Sequence, residues 1–228
     1  MGEAHKHIAY TIERAERVLG YDPKVGYREG YRRALEWCFE KGVLERKTGK
    51  RKAVFFDRDG VLVKSFLRDG KAAAPLSEEE FEIDPEAGVL LKTLHDQGYL
   101  LFVATNQPDI ARKKLDPDVL DAMHRRLRDA LGGKDILSEI YFCPHDNGDG
   151  CDCRKPKPGL LRRAAAEWGL DLGKSFFIGD HARDVGAGRA AGCRTVLIRK
   201  DYNQGTKADM IANSLGDAVG QILAFGRA

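Results

Sequence analysis

From residue 53 onward the chain alternates short apolar runs with longer amphipathic stretches, and this alternation restricts the fold more than any other feature. Ala53-Val54-Phe55-Phe56 is the first run, and similar ones predict strands over 99–104, 139–142, 175–178 and 195–198. Between them, helices are predicted over 86–97, 116–131, 159–168 and 184–191, with a last strand edge and helix within 209–225. Strands that alternate with helices call for a parallel sheet covered on both faces. The expected fold is therefore α/β, a doubly wound parallel sheet of the Rossmann-like kind. The sequence contains no internal repeat and no low-complexity segment.

Composition narrows the setting. A chain of 228 residues suits one to two domains with a sizeable core. The net charge of +3 comes from interspersed Lys and Arg, so no nucleic-acid or membrane partner is expected. The basic clusters at 46–52 and 112–114 read as a solvated linker and helix face. No apolar run approaches the roughly 20 residues needed to span a bilayer. Residues 1–7 lack a signal peptide's apolar region, so a cytoplasmic location is expected. Five cysteines, an odd number, argue against a disulfide framework. Cys38 and Cys193 stand alone and read as small buried hydrophobes.

Three predicted strands end on polar side chains. The first runs into Asp57-Arg58-Asp59-Gly60, the second into Thr105-Asn106-Gln107, and the fourth into Gly179-Asp180. In a parallel sheet these ends open on one edge, where ligands of open α/β sheets bind. Two carboxylates so close repel each other, and a bound cation relieves the repulsion. Asp57 and Asp59 therefore suit a nucleophile and a neighbouring acid/base beside Mg²⁺. An ordinary acidic turn is the alternative, and the convergence of three strand ends weighs against it.

Taken in order, Asp57-x-Asp59-Gly60, Thr105-Asn106-Gln107, the lysine of Arg154-Lys155-Pro156, and Gly179-Asp180-x-x-x-Asp184 resemble the haloacid dehalogenase superfamily of phosphatases. The resemblance runs from about residue 53 to the C-terminus. It implies that Asp57 attacks phosphorus and forms an aspartyl-phosphate, while Asp59 protonates the departing oxygen and then activates water. It also implies that the Asp57 and Asp180 carboxylates and the Asp59 backbone carbonyl hold magnesium. Thr105 would bind the phosphoryl oxygens and Lys155 would neutralise developing charge. Lys157 is a rival for that last role. Asp184 would orient Lys155 or a metal-bound water.

Cys143-Pro144-His145, five intervening residues, then Cys151-Asp152-Cys153 place four metal-type donors in an eleven-residue loop. Such a set suits tetrahedral Zn²⁺ with no open position, and therefore a structural role. Gly148 and Gly150 let the loop fold back. A loop of reduced thiols is the alternative. The string through Cys153-Arg154-Lys155-Pro156 resembles the zinc-bearing branch that contains heptose bisphosphate phosphatases and histidinol-phosphate phosphatases. The short gap resembles the histidinol form, and Lys157-Pro158-Gly159 the heptose form. A modest insert over 63–85 leaves room for a small phosphorylated sugar. Asn106 and Arg154 are candidate contacts for the sugar or its second phosphate.

The leading expectation is a sugar-phosphate phosphatase acting on heptose 1,7-bisphosphate. Histidinol-phosphate phosphatase is the enzyme alternative, and a non-catalytic scaffold that retained the fold is the alternative of another class. A nucleic-acid end phosphatase shares two of the motifs, but no Walker A sequence or basic aromatic groove accompanies them. Residues 1–50 read differently, as helices over 7–19 and 28–41 with a turn at 20–23. Their pattern, Leu19-Gly20-Tyr21-Asp22-Pro23 followed by Gly26, Gly30 and Trp37, resembles the C-terminal tail of a nucleotide-sugar epimerase. The segment is expected to be a helical extension available for protein contact, with 51–228 as the phosphatase domain.

Overall fold

The protein is described by a computed structural model covering residues 50–68 and 71–226, with Gly30, Arg33, Ala34, Trp37, Cys38 and Lys41 upstream. The chain divides into two units, Met1–Gly49 and Lys50–Ala228. In the first, Gly30, Arg33, Ala34, Trp37 and Cys38 are helical. The Lys41 N–H donates to the Trp37 carbonyl at 2.9 Å. The predicted helix over 7–19, the turn at 20–23 and residues 47–49 of the predicted linker lie outside the described residues.

The second unit is built on six parallel strands. In chain order its elements are β1 (Ala53–Phe56), β2 (Phe66–Arg68), β3 (Lys71–Ala73), α1 (Ala87–Asp96), β4 (Leu100–Asn106), α2 (Pro117–Ala130), α3 (Gly133–Ile136), β5 (Leu137–Cys143), α4 (Gly159–Trp168), β6 (Phe176–Gly179), α5 (Ala182–Ala191), β7 (Arg194–Ile198), β8 (Met210–Ala212) and α6 (Leu215–Phe225). The sheet order is β5-β4-β1-β6-β7-β8, and every neighbouring pair is parallel. The chain winds outward from β1 through β4 to β5, then crosses back to β6 and winds the other way. The winding of the strand order reverses at the β1/β6 boundary, which is the switch point where ligands of such sheets bind. Asp57 and Asp180 follow those two strands.

Period-two alternation along β1 explains the two cores. Val54 and Phe56 face one layer, with Leu91, Leu120, Met123, Leu127, Val219 and Ile222 from α1, α2 and α6. Ala53 and Phe55 face the other, with Leu160, Leu161, Ala164 and Ala187 from α4 and α5. Helix starts follow capping chemistry. Asp116 accepts from the Asp118 N–H and Pro117 opens α2, while Ser214 accepts from the Asp217 N–H at the start of α6. The insert over 63–85 holds the small β2–β3 hairpin.

The predicted strands and helices stand within a few residues of the observed ones, the β2–β3 hairpin and α3 were not foreseen, and two differences are informative. Strand β4 runs on through Thr105 and Asn106, because β5 continues alongside it and pairs Asn106 with Cys143. Helix α5 begins two residues before the predicted start, because His181 and Asp184 cap it reciprocally. Among the described residues no helix is long and apolar enough to cross a membrane.

Phe102 sits at the centre of the second core, stacked on Phe55 at 5.3 Å and edge-on to Trp168 at 5.4 Å between ring centroids. Phe102→Ala is expected to cost about 3–5 kcal/mol, read as a lower urea midpoint with an unchanged m-value.

Candidate active site

Asp57 is buried where β1 ends. Its N–H donates to the Ile178 carbonyl of β6 at 2.9 Å, which extends the ladder one residue past the strand. Its Oδ1 accepts from the Arg58 N–H at 2.7 Å and lies 2.8 Å from Lys155 Nζ. That ammonium also donates to the Ala104 carbonyl at 2.8 Å and lies 2.7 Å from Asp184 Oδ1. Lys155 is thus the hub of the site, and no part of its side chain reaches solvent. Lys157 goes elsewhere. It is half-exposed and donates to the Cys151 carbonyl at 2.6 Å.

Asn106 holds the lysine from behind. Its Nδ2 donates to the Lys155 carbonyl at 3.1 Å and its Oδ1 accepts from the Lys155 N–H at 3.0 Å. The amide expected to meet substrate is therefore engaged with the backbone of the residue it positions. Arg154 likewise turns to the cysteine loop, donating to Asn147 Oδ1 at 2.9 Å and the His145 carbonyl at 3.1 Å.

Asp180 follows β6. Tyr202 Oη donates to its Oδ2, and Asn203 Nδ2 donates to its carbonyl at 2.8 Å. Gly60 makes room for it, since a Cβ at that position would lie 1.8 Å from Asp180 Oδ2. Gly60 also has φ +86°, a conformation that favours glycine. Carboxylate oxygens of Asp57, Asp180 and Asp184 lie within 4.8 Å of one another.

The electrostatics follow from burial and crowding. Burial pushes the Asp180 carboxyl up to about 7, and the Asp57 and Asp184 charges add to the shift. Burial, with Asp57, likewise pushes Asp184 up to about 6. Asp57 is held below the usual carboxylate range. Burial opposes this, but the Lys155 and Arg183 charges and the hydrogen bonds from Lys155 and Arg58 outweigh it. Three carboxylates facing one ammonium leave uncompensated negative charge, and oxygen ligands in such a cluster suit a hard divalent cation.

Asp59 occupies a different environment. Arg58 Nε and Nη2 donate to its two oxygens at 2.9 and 3.1 Å. Gln107 Nε2 donates to the same Oδ2 at 2.9 Å and to Thr105 Oγ1 at 3.0 Å. Thr105 is buried inside the strand and linked through Gln107 to Asp59. The structure therefore brings Asp57, Asp59, Thr105, Lys155 and Asp180 to one edge. Sequence reasoning missed Arg58, Gln107, Tyr202 and Asn203. The first two lay inside motifs already singled out, whereas Tyr202 and Asn203 carried no local signal.

The Cys143, His145, Cys151 and Cys153 donors also converge. Cys143 Sγ lies 3.6 Å from His145 Nδ1, 3.7 Å from Cys151 Sγ and 3.2 Å from Cys153 Sγ, and His145 Nδ1 lies 3.3 Å from Cys153 Sγ. A tetrahedron with metal–sulfur bonds of about 2.3 Å has edges of about 3.7 Å, so the four donors fit one. Left as a thiol, Cys143 is pushed up to about 12, first by burial and then by its bond with Cys153. A cation among the donors would reverse that shift.

A doubly wound sheet with an acidic pair after its first strand, a buried lysine and a second acidic motif after β6 defines a haloacid dehalogenase-like hydrolase. The HAD-hydrolase-like family model matches residues 152–218. A D-glycero-beta-D-manno-heptose-1,7-bisphosphate 7-phosphatase of Pseudomonas aeruginosa is 40% identical over 152 residues, 65% of this chain and 82% of that protein. The alpha-heptose counterpart of Campylobacter jejuni is 37% identical, over 68% of this chain and 87% of its own length. The crystal structure of D,D-heptose 1.7-bisphosphate phosphatase from B. bronchiseptica, complexed with magnesium and phosphate, superposes with a TM-score of 0.67 at 30% identity. It covers 76% of this chain and 99% of that one. The chain belongs to the D-glycero-D-manno-heptose-1,7-bisphosphate 7-phosphatase family.

The space beneath Asp180 yields a direct test. Gly60→Ala is expected to displace the Asp180 carboxylate and lower kcat for phosphate release by about a hundredfold. A steady-state assay on protein of wild-type circular dichroism checks it, and a fully active variant would contradict the close approach.

Proposed function

We propose that this chain hydrolyses the 7-phosphate of D-glycero-D-manno-heptose 1,7-bisphosphate, leaving heptose 1-phosphate. The observation that carries the reading is the buried Lys155 ammonium between Asp57 and Asp184, with a separately held Asp59 two residues after Asp57. Family membership supplies the substrate class. Relatives carry names for both heptose anomers, so the proposal extends to the bisphosphate and not to its anomer.

In this reading Asp57 attacks phosphorus in line, forming the aspartyl-phosphate as the bond to the sugar oxygen breaks. Asp59 gives its proton to that oxygen, then takes one from the water that cleaves the intermediate. Lys155 and Thr105 hold the transferring oxygens as their charge changes. Magnesium, held by the Asp57 and Asp180 carboxylates and the Asp59 carbonyl, would reduce repulsion between nucleophile and phosphate dianion. Asp184 keeps Lys155 in place. Asn106 acts through the lysine's backbone, and Arg154, part-buried at the rim of the cysteine loop, meets the sugar's second phosphate alongside its bonds to that loop.

The four donors of that loop we assign to a structural zinc. Residues 1–50 we assign to protein contact, on their epimerase-tail pattern. The five free cysteines favour a reducing, cytoplasmic setting.

Phosphate release with Mg²⁺ from heptose 1,7-bisphosphate anomers and histidinol phosphate tests the activity. The heptose bisphosphates are expected to turn over at least about tenfold faster by kcat/KM, a difference of about 1.4 kcal/mol in transition-state binding. Asp57→Asn is expected to abolish release at unchanged Tm. A preference for histidinol phosphate would reject the substrate, and an active Asp57→Asn variant would reject the nucleophile.

Elemental analysis is expected to find about one zinc per chain. Stripping it should lower Tm, and re-addition should restore it. Unchanged melting after complete removal would rule out the structural role.

A further inference from the structure

Arg58, the residue between the two aspartates, is 0% exposed, which is rare for a guanidinium. Two of its nitrogens form the fork onto Asp59. The third, Nη1, lies 3.3 Å from His124 Nε2 on α2, 66 residues away in sequence. Phe81 covers the guanidinium face, with its ring centroid 5.3 Å from Cζ. Arginine carries donors and no acceptor, so Nη1 donates and Nε2 accepts. The imidazole is therefore neutral, with its proton on Nδ1. His124 is itself buried on the core side of α2, so this acceptor is held by a rigid element and not by a loop.

This contact completes a chain. Helix α2 holds His124, His124 holds Arg58, and Arg58 holds both oxygens of Asp59. Gln107 adds the third donor to the same carboxylate. The Asp59 side chain keeps 15% exposure, so one edge still opens to the site. A buried donor that loses its acceptor carries the full desolvation cost and seeks another partner. An arginine without His124 would pull its fork, and Asp59 with it, out of register.

We propose that His124 is a positioning residue, which acts through the buried Arg58 guanidinium to aim Asp59 at the departing sugar oxygen. The proposal rests on the reading of Asp59 as the general acid. It concerns only the first step, in which the Asp57–phosphorus bond forms, the phosphorus–sugar oxygen bond breaks, and the Asp59 proton passes to that oxygen.

The test compares two leaving groups in single turnover with enzyme in excess, which isolates that step. Heptose 1,7-bisphosphate releases an alkoxide that needs the proton, whereas p-nitrophenyl phosphate releases a phenolate that does not. His124→Leu removes the acceptor. It is expected to slow sugar release by at least about tenfold while nitrophenolate release stays within about threefold. His124→Gln, whose amide oxygen can accept from Nη1, is expected to restore the sugar rate. Equal losses on both substrates, or no recovery in His124→Gln, would overturn the positioning role.

Asp59→Asn separates the two levels of the argument. A loss confined to the sugar substrate supports Asp59 as the acid. If that variant is selective and His124→Leu is not, the positioning proposal fails alone. If Asp59→Asn slows both substrates equally, the underlying assignment fails with it.

Discussion

A single buried ammonium organises this molecule. Lys155 Nζ meets Asp57, Asp184 and the Ala104 carbonyl within 2.8 Å. Taking a lysine out of water is costly, and only close partners repay it. Both acids lie on the strand-end edge, one after β1 and the other on α5, so the lysine ties the two windings of the sheet together across the switch point. Removing the lysine would leave Asp57 and Asp184 buried without their shared counter-charge, a loss of about 3–5 kcal/mol. The pair also holds the Asp57 carboxyl below the usual carboxylate range despite its burial. The nucleophilic role proposed for Asp57 requires this, because a protonated carboxyl cannot attack.

The two aspartates of the first motif are kept apart by their partners. Asp57 faces Lys155 and the other carboxylates, whereas Asp59 is turned toward Arg58 and Gln107. Adjacent residues on a strand end point to opposite sides, but Asp57 and Asp59 are two apart and would share a side if β1 simply continued. The chain turns at Arg58, whose carbonyl accepts from the Leu62 and Val63 N–H groups at 3.0 and 2.9 Å, and the strand regularity ends there; Gly60 follows with φ +86°. Gly60 lets the backbone pass close to Asp180, where a side chain could not fit. One glycine thus admits the third acid beside the turn.

Much of this was legible in the sequence, and the reason is physical. Buried parallel strands read as apolar runs, and their carboxyl ends are where polar chemistry collects, so Asp57, Thr105 and Asp180 announced themselves. The zinc-type loop was equally plain, since three cysteines and a histidine in eleven residues have few other uses. What pattern alone could not supply was direction. Asn106 and Arg154 carried donors suited to a phosphate, yet they face Lys155 and the cysteine loop. The competition between Lys155 and Lys157 had the same origin, because two lysines two residues apart differ only in how the chain bends between them. His124 and Tyr202 were invisible because their partners come from distant segments. An isolated histidine on a helix gives no sign that a buried guanidinium lies above it.

The cysteine loop is best understood through Lys155. A loop of this length without regular structure has no core of its own, and ordering it costs about 1–2 kcal/mol per residue. The loop starts at Cys143, which pairs with Asn106 at the end of β4, and its last donor, Cys153, lies two residues before the lysine. Asn106 then clamps the Lys155 backbone, while Arg112 on the neighbouring segment grips Asp146 within the loop at 2.6 and 2.8 Å. Four donors gathered at tetrahedral spacing can fix such a segment where apolar packing cannot. Both ends of the loop therefore register on the same residue. The reach of the ammonium to Asp57 therefore depends on how this loop is held.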